Sequence, residues 1–293
     1  MDETMTAPSD NTREKVAVFI RASHGDRPIK SATAAKEHIT TVFTIFADGT
    51  HGKSSLIFPR KTLPKLAPEL MEHFAIGGST KGWMNKQIFH SWVTEVFIPE
   101  IEHRREIDEA PDQRALLILD SHSSRQCAKA LSALSDADID VVTIPSHSSH
   151  IVQPLDLLVN GQYKKALAAN IDVQEDATSE ERLEAFVRGA LYAMTEALLP
   201  RLVKQSFALA GVWPLNEEQG VKSKYVTKVV DSKKKRKRTC RISIDNRLIT
   251  RGSLIERLED REEEIQAKAR KKKKVIASDD DVDDSGTEEE PMP

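Results

Sequence analysis

The sequence predicts an α/β domain, a mixed sheet flanked by helices, followed by a charged tail that is largely disordered. Three observations predict it. Short β-branched and aromatic runs crowd the first part of the chain, with residues 38–46 (H-I-T-T-V-F-T-I-F) the strongest. A strand, helix, strand succession follows between residues 115 and 144. Beyond Gly220 the apolar residues thin out and charge separates into basic and acidic blocks.

Taken in order, residues 14–20 (E-K-V-A-V-F-I) read as a short strand and 21–30 as a polar turn. The strand at 38–46 stops at Ala47-Asp48-Gly49, a turn signal of the Asp-Gly kind, and 54–58 (S-S-L-I-F) read as its return strand. The first part is therefore expected to be an antiparallel meander. From Asn85 to Phe97 a helical period aligns Ile88, Trp92, Val93 and Val96, and Pro99 is expected to stop it. Residues 115–119 (A-L-L-I-L) have the length and composition of a buried strand, 124–134 read as a helix and 141–144 as another strand. That succession implies a parallel pair with a crossover. A helix over 154–169 puts Val159, Tyr163 and Leu167 in register. Thr178 with Glu181 forms a capping box, opening a helix with Leu183, Phe186, Val187, Ala190, Leu191 and Met194 inward. Pro200 ends or kinks it, and 207–216 (F-A-L-A-G-V-W-P-L-N) close the domain as an apolar segment.

The tail carries the basic run Lys233, Lys234, Lys235, Arg236, Lys237, Arg238, a charged helix that Ser253 and Glu256 cap through Arg270, a second basic run at 271–274, and acidic residues over 279–290. It has too few apolar groups to offset ordering entropy. The organisation expected is a domain over 1–217 and a mostly disordered tail over 218–293.

The 293 residues, 39% hydrophobic and 30% charged, suffice for one large or two modest domains. The net charge of -3 selects no partner. Two cysteines, Cys127 and Cys240, offer neither a disulfide framework nor metal-ligand spacing. No apolar run reaches the roughly 18 residues of a membrane span, and the acidic N-terminus lacks the apolar core of a secretory signal.

The chemistry concentrates in two stretches. In A-L-L-I-L-D-S-H-S-S, Asp120 ends the apolar run; in I-P-S-H-S-S-H-I-V-Q-P-L-D, Asp156 closes a segment bearing His147 and His150. A carboxylate at the open end of a buried strand is placed to hold a divalent cation, and a second from a later loop or helix completes the arrangement that metal-assisted phosphoryl transfer needs. Either aspartate is equally a plain turn or helix cap. The chain has no G-x-S-x-G elbow, the histidines lack the rest of a zinc set, and Gly77-Gly78 is too short for a phosphate loop. Asp48 reads as a structural turn residue, and Trp83, Trp92 and Trp213 as core.

Those two stretches, with the closing segment 207–216 and the hairpin H-I-T-T-V-F-T-I-F-A-D-G, resemble the DDE superfamily endonuclease domain of pogo, Tigger and jerky-like transposases, over roughly residues 2–216. The resemblance implies an RNase H-like fold in which three acidic residues on separate elements hold two Mg²⁺ or Mn²⁺ ions. It assigns the second acid to Asp120, the third to Asp156, and the first to Asp2 in D-E-T-M, where Met5 replaces a usual glycine. Two cations about 3.5–4 Å apart would clamp the attacking and leaving oxygens of an in-line displacement on DNA. His122, His147 and His150 become candidate phosphate contacts, and the run Lys233–Arg238 a nuclear import signal or non-specific DNA grip. Ser121, Arg125 and Ser146 depart from the family pattern, which often has histidine at the position of Arg125. The first strand is expected to be N-terminally truncated. The function implied is a nuclear, DNA-binding transposase or endonuclease domain, with import machinery as partner, a possible homodimer and no membrane. The alternative is a catalytically inactive, transposase-derived nuclear protein associated with DNA or chromatin.

Overall fold

A computed structural model describes residues 1–6, 38–171, 177–221, 249 and 252–279. The expected strand at 14–20, the turn at 21–30, Lys233–Arg238 and most of the acidic run lie outside the described residues. Four strands form one sheet in the order β1-β2-β3-β4: β1 (Asp2–Thr6), β2 (Ile39–Phe43), β3 (Ser54–Phe58) and β4 (Phe74–Gly78). The first three are antiparallel neighbours, and β4 adds parallel to β3 after the short helix α1 (Pro68–His73). The hairpin between β2 and β3 turns where Asp-Gly predicts, with Gly49 at φ 98°, a conformation that disfavours any residue with a Cβ.

A helical rod follows: α2 (Lys86–Trp92), a π-wound turn over Val93–Phe97, and α3 (Ile98–Ile107). Asn85 caps it by accepting from the Ile88 amide at 2.9 Å. Pro99 does not stop the rod, contrary to the reading of the sequence. The wide turn ends on an Ile98 N–H to Val93 carbonyl bond, and Pro99 falls in the first turn of α3, where a missing N–H costs little.

β5 (Ala115–Leu119) and β6 (Ile139–Thr143) then pair in parallel across α4 (Ala128–Asp136), as the succession predicts. β5 is only half-buried: Leu117 and Leu119 are covered while Leu116 is exposed. The short α5 (Ser149–Val152) leads through Gln153 and Pro154 into a π-wound turn, Leu155–Val159, that continues as α6 (Asn160–Asn170). Val159, Tyr163 and Leu167 are buried as their register requires. The Thr178–Glu181 capping box opens α7 (Ser179–Ala197), and Pro200 begins α8 (Pro200–Leu209). α9 (Glu217–Val221) ends this part of the chain.

Side chains alternate across the sheet, so each strand feeds two cores. Ile39, Phe43, Leu56 and Phe58 pack with α6, α7 and α8 on one face. Val42 and Ile57 pack with α2, the π-wound turn after it, β5 and α4 on the other. β2 is buried along its whole length because helices cover both faces.

Within the tail, the expected helix after Ser253 is present, and it packs on the domain, which the sequence did not indicate. Ile249 donates its N–H to the Val141 carbonyl at 2.8 Å, beside β6. The helix α10 (Gly252–Asp279) buries Leu254, Ile255 and Leu258 in the second core. These residues share a helical face, so docking recovers apolar burial from a segment whose composition looks solvated. Trp83 and Trp213 are also not core residues; they are 52% and 62% exposed, and only Trp92 is buried.

Candidate functional site

Three distant aspartates line one cleft of about 270 Å³. Asp2 is buried on β1, Asp120 directly follows β5, and Asp156 sits exposed on the π-wound turn before α6. The cleft also takes in His122, His147 and Gln153. Ser121 and Ser146 hydroxyls stand 3.1 Å apart and join the two loops that carry the histidines. His150 faces solvent on α5 and is not among the residues lining the cleft. A larger cavity of about 360 Å³ lies between β4 and α2, lined by Gly77, Ile88 and Trp92; it holds none of the three aspartates.

The placement follows from local structure. Thr41 on β2 and the Tyr163 hydroxyl on α6 are hydrogen-bonded at 3.0 Å, and the Tyr163 ring packs edge-on against Phe43 at 4.8 Å. That anchor fixes the start of α6 against the sheet. Asn160, one turn earlier, then reaches β1: its Nδ2 donates to Asp2 Oδ2 at 2.7 Å and to Asp156 Oδ1 at 3.0 Å. One buried amide thereby ties the first candidate acid to the third. Because β1 alternates, Asp2 points to this side and Glu3 to the other. There Glu3 meets Arg125, whose Nη2 donates to Glu3 Oε1 and whose Nε donates to Asp120 Oδ1 at 3.1 Å.

The electrostatics are those of an anion excess. The Asp2 carboxyl is pushed up to about 7, first by burial and then by the Asp156 charge, with Asp120 adding to it; hydrogen bonds from the Glu3 backbone and Asn160 oppose the rise. Buried polar atoms without a hydrogen-bond partner among the described residues cluster here too: both amide atoms of Gln153 and the Oδ1 of Asn160.

Among the described residues, no three Asp, Glu, His or Cys side chains stand together as a ready metal-ligand set. Asp120 is engaged by Arg125, and Asn160 engages both Asp2 and Asp156. In kind, the donors fit a hard divalent cation: three carboxylates, one of them, Asp2, pushed up to about 7 by burial and then by the Asp156 charge. Sequence reasoning did not single out Asn160, Glu3 or a role for Gln153. Asn160 follows Asp156 by one helical turn, the one signal that could have found it.

Two strand pairs meet beside the cleft. The Met1 amino group donates to the Ile118 carbonyl at 3.3 Å, bringing the start of β1 next to β5.

Comparison with known proteins places the chain. The family described as DDE superfamily endonuclease matches residues 36–208, which include Asp120 and Asp156 and leave Asp2 outside. The chain is 30% identical over 142 residues to human Tigger transposable element-derived protein 7, covering 46% of this chain and 25% of that protein. It is 27% identical over 125 residues to the human Jerky protein homolog, covering 41% and 22%. It is 27% identical over 140 residues to the mouse Pogo transposable element with KRAB domain, covering 47% and 22%. The matches thus span about a quarter or less of these relatives' lengths. No solved structure matches.

Proposed function

The chain belongs to the DDE superfamily endonuclease family, and we propose that it is the catalytic domain of a DNA transposase, cutting and joining DNA strands with Mg²⁺ or Mn²⁺. The observation that carries this reading is that Asp2, Asp120 and Asp156, from three separate elements, line one cleft. In this reading the fold is RNase H-like. The antiparallel β1-β2-β3 and the parallel β5-β6 then belong to one sheet, with β1 beside β5; the Met1 to Ile118 hydrogen bond supports that adjacency.

The three aspartates would hold the cations, which supply Lewis acidity at a phosphoryl oxygen and a more acidic water. The chain's own contribution is placement. Asn160 keeps Asp2 and Asp156 within reach of one another. Asp2, pushed up to about 7, is only part-ionised near neutral pH, so cation binding there would be coupled to proton loss. His122 and His147, on the wall of the cleft, would contact a DNA phosphate in this reading. The run Lys233–Arg238 suits nuclear import or a sequence-independent grip on DNA.

The test is a nicking and strand-transfer assay on the matching element ends in Mg²⁺ or Mn²⁺. Cleavage is expected, falling to background in Asp120→Asn and Asp156→Asn. Equal cleavage by either variant would sink the enzymatic reading. The engagement of Asp120 by Arg125 favours a second reading, a transposase-derived nuclear protein that binds DNA or chromatin without cutting it. DNA binding with no cleavage under either metal would establish that alternative.

A further inference from the structure

We propose that Arg125 is a built-in counterion of the aspartate cleft, a positioning residue that holds Asp120 and sets how tightly the cleft takes a divalent cation. The inference rests on the reading of the aspartates as cation ligands. Arg125 is fully buried. Its Nε donates to Asp120, its Nη2 to Glu3, and its Nη1 to Ser124 Oγ at 3.2 Å, so all three guanidinium nitrogens are engaged. The guanidinium lies 5.0 Å from the Phe89 ring centroid. The turn that presents it, Ser123–Arg125, is closed by the Arg125 N–H donating to the His122 carbonyl at 3.0 Å.

Guanidinium groups keep their charge throughout the pH range in which proteins fold. A permanent positive charge therefore bonds to the carboxylate that a cation needs. It occupies a lone pair of Asp120 and repels an incoming cation across one carboxylate. Glu3 shares that charge and reduces it. Since Glu3 neighbours Asp2 on β1, the same ion-pair chain fixes β1 relative to the end of β5. Removing the charge and removing its competitor must then move cation affinity in opposite directions.

The experiment is a Mn²⁺ titration of the full chain, followed by electron paramagnetic resonance of free Mn²⁺ and by the metal dependence of thermal unfolding. Arg125→Gln is expected to bind Mn²⁺ roughly tenfold or more tighter than the parent chain, from the loss of a buried like charge bonded to one of the ligands. Glu3→Gln, nearly isosteric, is expected to bind it several-fold more weakly. Arg125→Gln should also be rescued by Mn²⁺ to a larger upward shift in unfolding temperature than the parent. A purely structural Arg125 would weaken binding in both variants, and that result overturns the inference. If Arg125→Gln does not fold, the double variant Arg125→Gln with Glu3→Gln, which leaves neither charge of the pair unpartnered, decides: it is expected to bind Mn²⁺ more tightly than Glu3→Gln alone, and equal or weaker binding refutes the inference. No Mn²⁺ binding by the parent chain, or binding untouched by Asp156→Asn, overturns the functional reading itself and this inference with it.

Discussion

Asp2 is the residue on which the electrostatics of the cleft turn. Its folded value, about 7, stands above the ordinary 3.8. The folded state therefore holds a proton that the unfolded state has lost once pH exceeds the ordinary value. The stability Asp2 contributes is fully present below about pH 4 and is lost as pH rises through about 7. Without divalent cation, the unfolding temperature of the parent chain should fall relative to that of Asp2→Asn across this window, by the equivalent of a few kcal/mol. Mn²⁺ at pH 7 should recover the difference in the parent alone. Superposable pH profiles would show that Asp2 titrates as an ordinary exposed carboxyl. Asn160 makes a second residue-scale prediction. Asn160→Ala removes the shared donor, and Mn²⁺ affinity should drop about 10- to 100-fold, as for other groups that orient metal ligands. The aspartates at 120 and 156 were legible in the sequence because each ends a recognisable run. Glu3 was not, since nothing local distinguishes an ion-paired glutamate from an exposed one, and Asn160 carried only its spacing of one helical turn from Asp156, which does not tell a buried amide from an exposed one.

Elements tell a similar story at longer range. The β3 limits, the Asp-Gly turn and the α7 capping box matched expectation because each is decided within a few residues. The cap is directly testable: Thr178→Ala loses the hydroxyl that accepts from the Glu181 amide, and should cost about 1 kcal/mol in chemical denaturation. A change below a few tenths would mean the helix start is held by packing instead. Pro99 and β5 defied expectation for identifiable reasons. A π-wound turn placed Pro99 in the first turn of α3, and one side of β5 lacks the cover that its continuous apolar composition implied. The second π-wound turn carries Asp156, so an irregular winding that no periodicity signals also positions a candidate ligand.

At the scale of the molecule, two cores sandwich the sheet, and the second is completed by the C-terminal segment. Leu258 is 2% exposed between α10 and the domain. Leu258→Ala should lower the free energy of unfolding by about 2–4 kcal/mol, whereas Ile265→Ala, at an exposed position, should change it little. Equal, small effects would mean that α10 does not dock. The sequence by itself determined the strand and helix types, the family, and two aspartates at the ends of apolar runs, because periodicity, turn chemistry and short motifs act over a few neighbouring residues. Only the tertiary structure decided that Asp2 and Asp156 share one amide, that Arg125 claims Asp120, and that a charged tail helix belongs to the core. The first and last join residues far apart in the chain, and Arg125, only five residues from Asp120, is held there by its pairing with the distant Glu3; these partners are set by which surfaces the folded sheet brings together.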